Sequence, residues 1–130
     1  MNSHLILLVD DEQEIVDIYS QKLIQAGFEV ITAGDGAECI KLAKEKHPEL
    51  ILLDVKMPDM DGVEAFYQLK KGADTQNIKV VFLTAFTDPH SPDIDIKLSK
   101  EIGADFIRKG VSLNEFVDTV KSFFKKDAPG

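Results

Sequence analysis

The chain has 130 residues, 44% of them apolar, with 15 basic against 23 acidic residues and a formal net charge of −8. At roughly 100–200 residues per domain this is a single domain with enough apolar mass for its own core. The acidic balance argues against a nucleic-acid-binding module and against a polybasic membrane anchor. The first apolar run, over 5–9, is too short for a membrane span or a signal peptide, and the lone Cys39 excludes an internal disulfide and fits a reducing, cytoplasmic setting.

Strand and helix alternate along the chain. A first strand is predicted over 5–9. A helix follows over about 12–26, with Ile15, Tyr19, Leu23 and Ala26 at helical spacing and Gly27 as its stop. A second strand is expected over 28–32 and a second helix over 35–46, opened by Asp35 and Glu38 in capping-box spacing. Leu50-Ile51-Leu52-Leu53 is the third strand, and a helix over 61–71 again opens on an acid and a glutamate, Asp61 and Glu64. The fourth strand covers 79–83. A helix over about 92–102 has Ser91 as its cap and Pro92 in its first turn. A short fifth strand covers 104–107, and a last helix over 113–125 opens on the full capping box Ser112-Leu113-Asn114-Glu115, with Val111 and Phe116 as its staple. The core of the domain spans about 4–126, and 127–130 reads as a tail or the start of a linker.

Such alternation gives an α/β, doubly wound, flavodoxin-like parallel sheet with helices on both faces. The first, third and fourth strands are continuous apolar runs suited to the interior. The second carries Glu29 and the fifth is short and bounded by Asp105 and Arg108, so these two are edges. The order 2-1-3-4-5 satisfies this and the right-handed crossover rule, and it places a binding site at the carboxyl ends of strands one and three. There the sequence sets Asp10 and Asp11, Asp54, Thr84 and Lys109, drawn from four separate segments. Singly each has an ordinary reading: Asp11 as the cap of the first helix, Asp10 and Thr84 as strand-end polar residues, Lys109 as a solvated charge before a glycine. Asp54 fits no such reading, because an acid ending a central strand is desolvated unless something pairs with it. Three converging carboxylates repel, which raises at least one pKa unless a hard cation intervenes. The set reads as a Mg²⁺ site with a position open for a phosphoryl group, which Lys109 neutralises and Thr84 hydrogen-bonds.

With Leu8-Val9-Asp10-Asp11-Glu12, the run from Leu52 through Asp54, Lys56 and Pro58 to Gly62, Leu83-Thr84-Ala85, and the run from Gly103 through Phe106 to Lys109, the chain resembles the receiver domain of two-component response regulators, over essentially its whole length. The resemblance implies that Asp54 accepts a phosphoryl group from the phosphohistidine of a sensor histidine kinase or phosphotransfer protein. It implies Mg²⁺ on Asp10, Asp11, Asp54 and the backbone carbonyl of Lys56, with Lys109 on the phosphoryl oxygens. Thr84 and Phe106 become the switch pair, acting on the face of the fourth helix, fifth strand and last helix. It implies a protein that catalyses only its own phosphorylation and dephosphorylation, and a monomer or a phosphorylation-dependent dimer.

Two departures stand out. Gly110 occupies the place where the family usually has proline, so a trans Lys109–Gly110 bond is expected, and the stretch over 86–92 is longer than usual. A degenerate receiver acting only as a docking module is the alternative, opposed by the intact acids, threonine and lysine. An aspartate-nucleophile phosphatase needs a second Asp two residues after the first, where this chain has Lys56; a flavodoxin-like cofactor binder would meet repulsion from Asp10 and Asp11. Elsewhere, Cys39 is read as core, His4, His47 and His90 form no metal-ligand spacing, Gly62 shapes a turn, and Phe123, Phe124 and Ile96 suggest partly exposed apolar contacts.

Overall fold

The computed structural model describes residues 3–57, 60–84 and 103–125. The helix predicted over 92–102, the long stretch over 86–92, Ala85, His90 and Ile96 lie outside the described residues. Numbered over what is described, the elements are β1 (Leu5–Val9), α1 (Gln13–Gln25), β2 (Glu29–Ala33), α2 (Gly36–Lys46), β3 (Leu50–Asp54), α3 (Gly62–Lys71), β4 (Lys79–Thr84), β5 (Asp105–Arg108) and α4 (Leu113–Lys125). The sheet is parallel throughout in the order β2-β1-β3-β4-β5, as the sequence predicts.

The apolar runs explain the order. Residues Leu50 to Leu53 are at most 1% exposed, which two covered faces require. Alternate side chains fill two cores. Leu7, Val9, Ile51, Leu53 and Phe82 meet α2 and α3 through Cys39, Ala43, Ala65, Phe66 and Leu69. Ile6, Leu8, Leu50, Leu52, Val81 and Leu83 meet α1 and α4 through Val16, Tyr19, Leu23, Phe116 and Val120. Each large side chain so buried contributes roughly 1.5–3 kcal/mol.

Element ends and one helix face differ from expectation by a residue or so, and β3 runs on to Asp54. Phe28 is excluded from β2 because its N–H closes the end of α1 on the Leu23 carbonyl at 3.1 Å, with Gly27 turning the chain at a φ of 102°. β4 extends to Thr84 because Thr84 pairs with Arg108 across the sheet, which also moves β5 one residue along. In α1 the core-facing residues are Val16, Tyr19 and Leu23, while Ile15 and Ala26 are half-buried. The caps are as read: Asp35 and Asp61 accept from the Glu38 and Glu64 amides at 2.8 and 2.9 Å, and Ser112 from the Glu115 amide at 3.1 Å.

Candidate functional site

The carboxyl edge of the sheet carries the site. Asp10 follows β1 and is 1% exposed; its amide donates to the Ala33 carbonyl and its Oδ1 accepts from the Glu12 amide at 2.9 Å. Asp54 ends the central strand and is 4% exposed. Asp11 is exposed, and α1 is capped at Glu12 without a side-chain bond, so Asp11 is not the helix cap. One oxygen from each of Asp10, Asp11 and Asp54 lies within 4.8 Å of the others. Lys109 follows β5 and reaches across the strand ends. Its Nζ stands 2.6 Å from Asp10 Oδ2, 3.3 Å from Asp54 Oδ1 and 3.6 Å from Glu12 Oε1.

The charges do not balance. Burial, then the Asp10 charge, push the Asp54 carboxyl up to about 7, against the pull of Lys109. Burial works against the Lys109 ammonium, but Asp10 and Asp54 outweigh it and hold its pKa above the ordinary range. Asp10 Oδ2 is buried and takes no well-directed hydrogen bond; the ammonium beside it is an ion pair only. One lysine thus serves three carboxylates, leaving an oxygen that wants a further positive partner. Hard oxygen donors in this number and spacing fit a divalent cation of the Mg²⁺ type.

Thr84 is buried at the end of β4, and its carbonyl accepts the Lys109 amide at 2.9 Å. Phe106 is half-buried against the core shared with α2 and α3, in register with Phe82 and on the same face as Thr84. Lys56 lies two residues beyond Asp54, is exposed, and among the described residues nothing hydrogen-bonds its carbonyl. The Lys109–Gly110 bond is trans, since no described peptide bond is cis. Gly62 does more than shape a turn. A Cβ there would sit 2.1 Å from the Asp54 carbonyl oxygen, so only glycine lets α3 start against the end of β3. Sequence reasoning gave no role to Glu12, which adds to the Lys109 contacts, or to Tyr19 beyond its place at helical spacing in the first helix.

Fold and site together define a doubly wound α/β domain with acids and a lysine gathered at the carboxyl edge of its sheet. The response regulator receiver domain profile matches residues 6–121, and the chain belongs to that family, the receiver modules of two-component systems. It is 36% identical over 122 residues to the alkaline phosphatase synthesis transcriptional regulatory protein PhoP of Bacillus subtilis, covering 93% of this chain and 48% of that protein. It is 29% identical over 119 residues to the polar-differentiation response regulator DivK of Brucella ovis, covering 91% of this chain and 94% of that one. The chain therefore spans about half the length of relatives such as PhoP and nearly all of DivK. Among solved structures, chemotaxis protein CheY4 of Vibrio cholerae superposes with a TM-score of 0.81 at 28% identity, over 93% of this chain and 98% of that one. A response regulator from Chloroflexus aurantiacus gives 0.83 at 28% identity, over 96% of this chain and 100% of that one.

Proposed function

We propose that the chain is a single phosphoacceptor receiver domain in which Asp54 takes a phosphoryl group from the phosphohistidine of a sensor histidine kinase or phosphotransfer protein. The observation that carries the reading is the buried Asp54 at the end of the central strand, 3.3 Å from Lys109 and clustered with Asp10 and Asp11. An Asp54 carboxylate oxygen attacks the phosphorus, the bond to the donor imidazole nitrogen breaks, and an acyl phosphate remains on Asp54. The work of the protein is positioning and charge neutralisation. Lys109 sits within reach of the new phosphoryl oxygens and exchanges part of its contact with Asp54 for them. Thr84, whose carbonyl already holds the Lys109 backbone, supplies its hydroxyl as a donor. Asp10, Asp11, Asp54 and the Lys56 carbonyl would hold a Mg²⁺, which would supply the charge that keeps Asp54 ionised and offsets the phosphoryl oxygens.

The reading makes this a signalling module rather than a turnover enzyme. Thr84 and Phe106 share a face of the sheet and carry the signal toward β5 and the neighbouring helices, in a cytoplasmic protein that is a monomer or dimerises on phosphorylation. No helix among the described residues is long and apolar enough to cross a membrane. The test is intact-mass measurement after incubation with a small acyl phosphate. One phosphoryl group is expected on the wild type with Mg²⁺, and none with chelator or with Asp54→Asn. Uptake by Asp54→Asn equal to wild type refutes the assignment.

A further inference from the structure

β1 and β5 are separated in the sheet by β3 and β4, three strand spacings or roughly 14 Å. Yet Lys109, which follows β5, meets Asp10, which follows β1, at 2.6 Å. Among the described strand pairs no ladder joins β1 to β5. Lys109 is tied to Thr84 through its amide, but the chain then passes through Gly110, and the next backbone bond, from the Val111 amide to the Arg108 carbonyl, is stretched to 3.5 Å. A glycine here adds freedom of its own to the loop, and Val111 beyond it packs back on the core shared with α1 and α4.

The helix that follows this loop is anchored one turn further on. Ser112 caps α4, and Phe116, which is 0% exposed, stacks on Tyr19 with ring centroids 4.1 Å apart and planes tilted by 20°. Tyr19 is 5% exposed and belongs to α1, the helix that leaves the Asp10-Asp11-Glu12 run. One stack therefore joins the helix that leaves the acidic pair to the helix that leaves the lysine. The Tyr19 hydroxyl lies in the field of the same pair: burial pushes its pKa up, Lys109 draws it down and Asp10 pushes it up.

We propose that Tyr19 is a positioning residue for phosphoryl transfer: its stack on Phe116 sets where Lys109 stands relative to Asp10 and Asp54. The inference rests on the phosphoacceptor reading for its effect on rate. The geometric half stands apart from it.

The experiment compares wild type, Tyr19→Phe, Tyr19→Leu, Phe116→Leu and the double leucine variant. Two quantities are read: the rate of phosphoryl uptake from a small acyl phosphate with Mg²⁺, and the NMR amide shifts of Asp10 and Lys109 without donor. Tyr19→Phe keeps the stack and stays within about twofold of wild type, while either leucine variant slows uptake about three- to tenfold, the worth of an aromatic pair. The double variant is no slower than either single one, because the pair is one device. The Asp10 and Lys109 amides move in the leucine variants and not in Tyr19→Phe. Wild-type rates in both leucine variants, multiplicative losses in the double variant, or unmoved amides overturn the proposal. If the wild type takes up no phosphoryl group, the phosphoacceptor reading fails, and the amide shifts alone decide the clamp. If Tyr19→Leu does not fold, Phe116→Leu set against Tyr19→Phe decides it.

Discussion

Asp54→Asn should stabilise the fold at neutral and alkaline pH when no divalent cation is present. The wild-type carboxyl titrates near 7 in the folded chain, against about 3.9 in an unfolded one. The native state therefore holds a proton that the unfolded state has lost across that window. The stability linked to this group is complete below about pH 4 and is lost as pH rises through 7. A shift of this size caps the loss at on the order of 4 kcal/mol. Removing the charge also takes one partner from Lys109, which keeps Asp10 at 2.6 Å, so the net gain of the asparagine variant is roughly 1–3 kcal/mol at about pH 8. The assay is urea unfolding of both proteins in chelator at about pH 5 and pH 8. The variant's advantage should appear mainly at the higher pH and shrink when Mg²⁺ is added, since a cation on the ionised cluster stabilises the wild type by mass action. An advantage that is equal at the two pH values, or larger in acid, refutes the electrostatic account.

Two further outcomes follow from contacts around the same strand ends. Gly62→Ala brings a Cβ to 2.1 Å from the Asp54 carbonyl oxygen and 3.0 Å from Val55 Cα; neither backbone atom can step aside, and the 2.8 Å bond from the Gly62 amide to the Val55 carbonyl is strained as well. Overpacking and a weakened bond together cost about 2–4 kcal/mol, more than alanine's helix propensity returns, so the urea midpoint falls and phosphoryl uptake slows with it. An unchanged midpoint contradicts the close approach. Thr84→Ala should still accept a phosphoryl group at Asp54 but give smaller NMR shifts at Phe106 and Phe123 on phosphorylation, the loss of a charge-assisted bond of about 1.5–3 kcal/mol shifting a two-state balance roughly ten- to a hundredfold. Equal distal shifts in both proteins remove threonine from the coupling.

The sheet was legible because its interior strands could be nothing else. Leu50 to Leu53 offer no polar face, and Glu29 cannot lie in an interior strand, so order and edges follow. The site was legible because its residues end strands, and topology alone brings strand ends together. What lay hidden depends on contacts between distant segments. Nothing local to Gly62 reveals that the Asp54 carbonyl lies against it. His4, one of three scattered histidines in the sequence, meets Glu49 at 2.8 Å and stacks on Phe124 at 4.3 Å, tying the start of β1 to the end of α4. Phe123 and Phe124 are accordingly half-buried rather than free, with Lys79 over the Phe123 ring. Tyr19 reads as one residue of the apolar stripe of the first helix and Phe116 as the staple of the last, and only the fold shows that the two rings stack on one another.

The cluster at the strand ends works against the fold that holds it, and on the proposed phosphoacceptor reading this opposition is what a ligand would relieve. A carboxyl pushed to about 7, first by burial and then by the Asp10 charge, is an unfavourable group held in place by the two apolar cores, whose many buried side chains at roughly 1.5–3 kcal/mol each far exceed its cost. Any ligand that relieves that cost is favoured by the amount relieved, and by linkage it biases whatever conformations differ in it. The backbone bond between Thr84 and Lys109 gives such a bias a route on the proposed phosphoacceptor reading, because it joins the residue beside the carboxylates to the residue that ends β4. A neutral, well-packed rim would make a more stable sheet. It would also lack the carboxylate that the proposed phosphoryl transfer requires at Asp54.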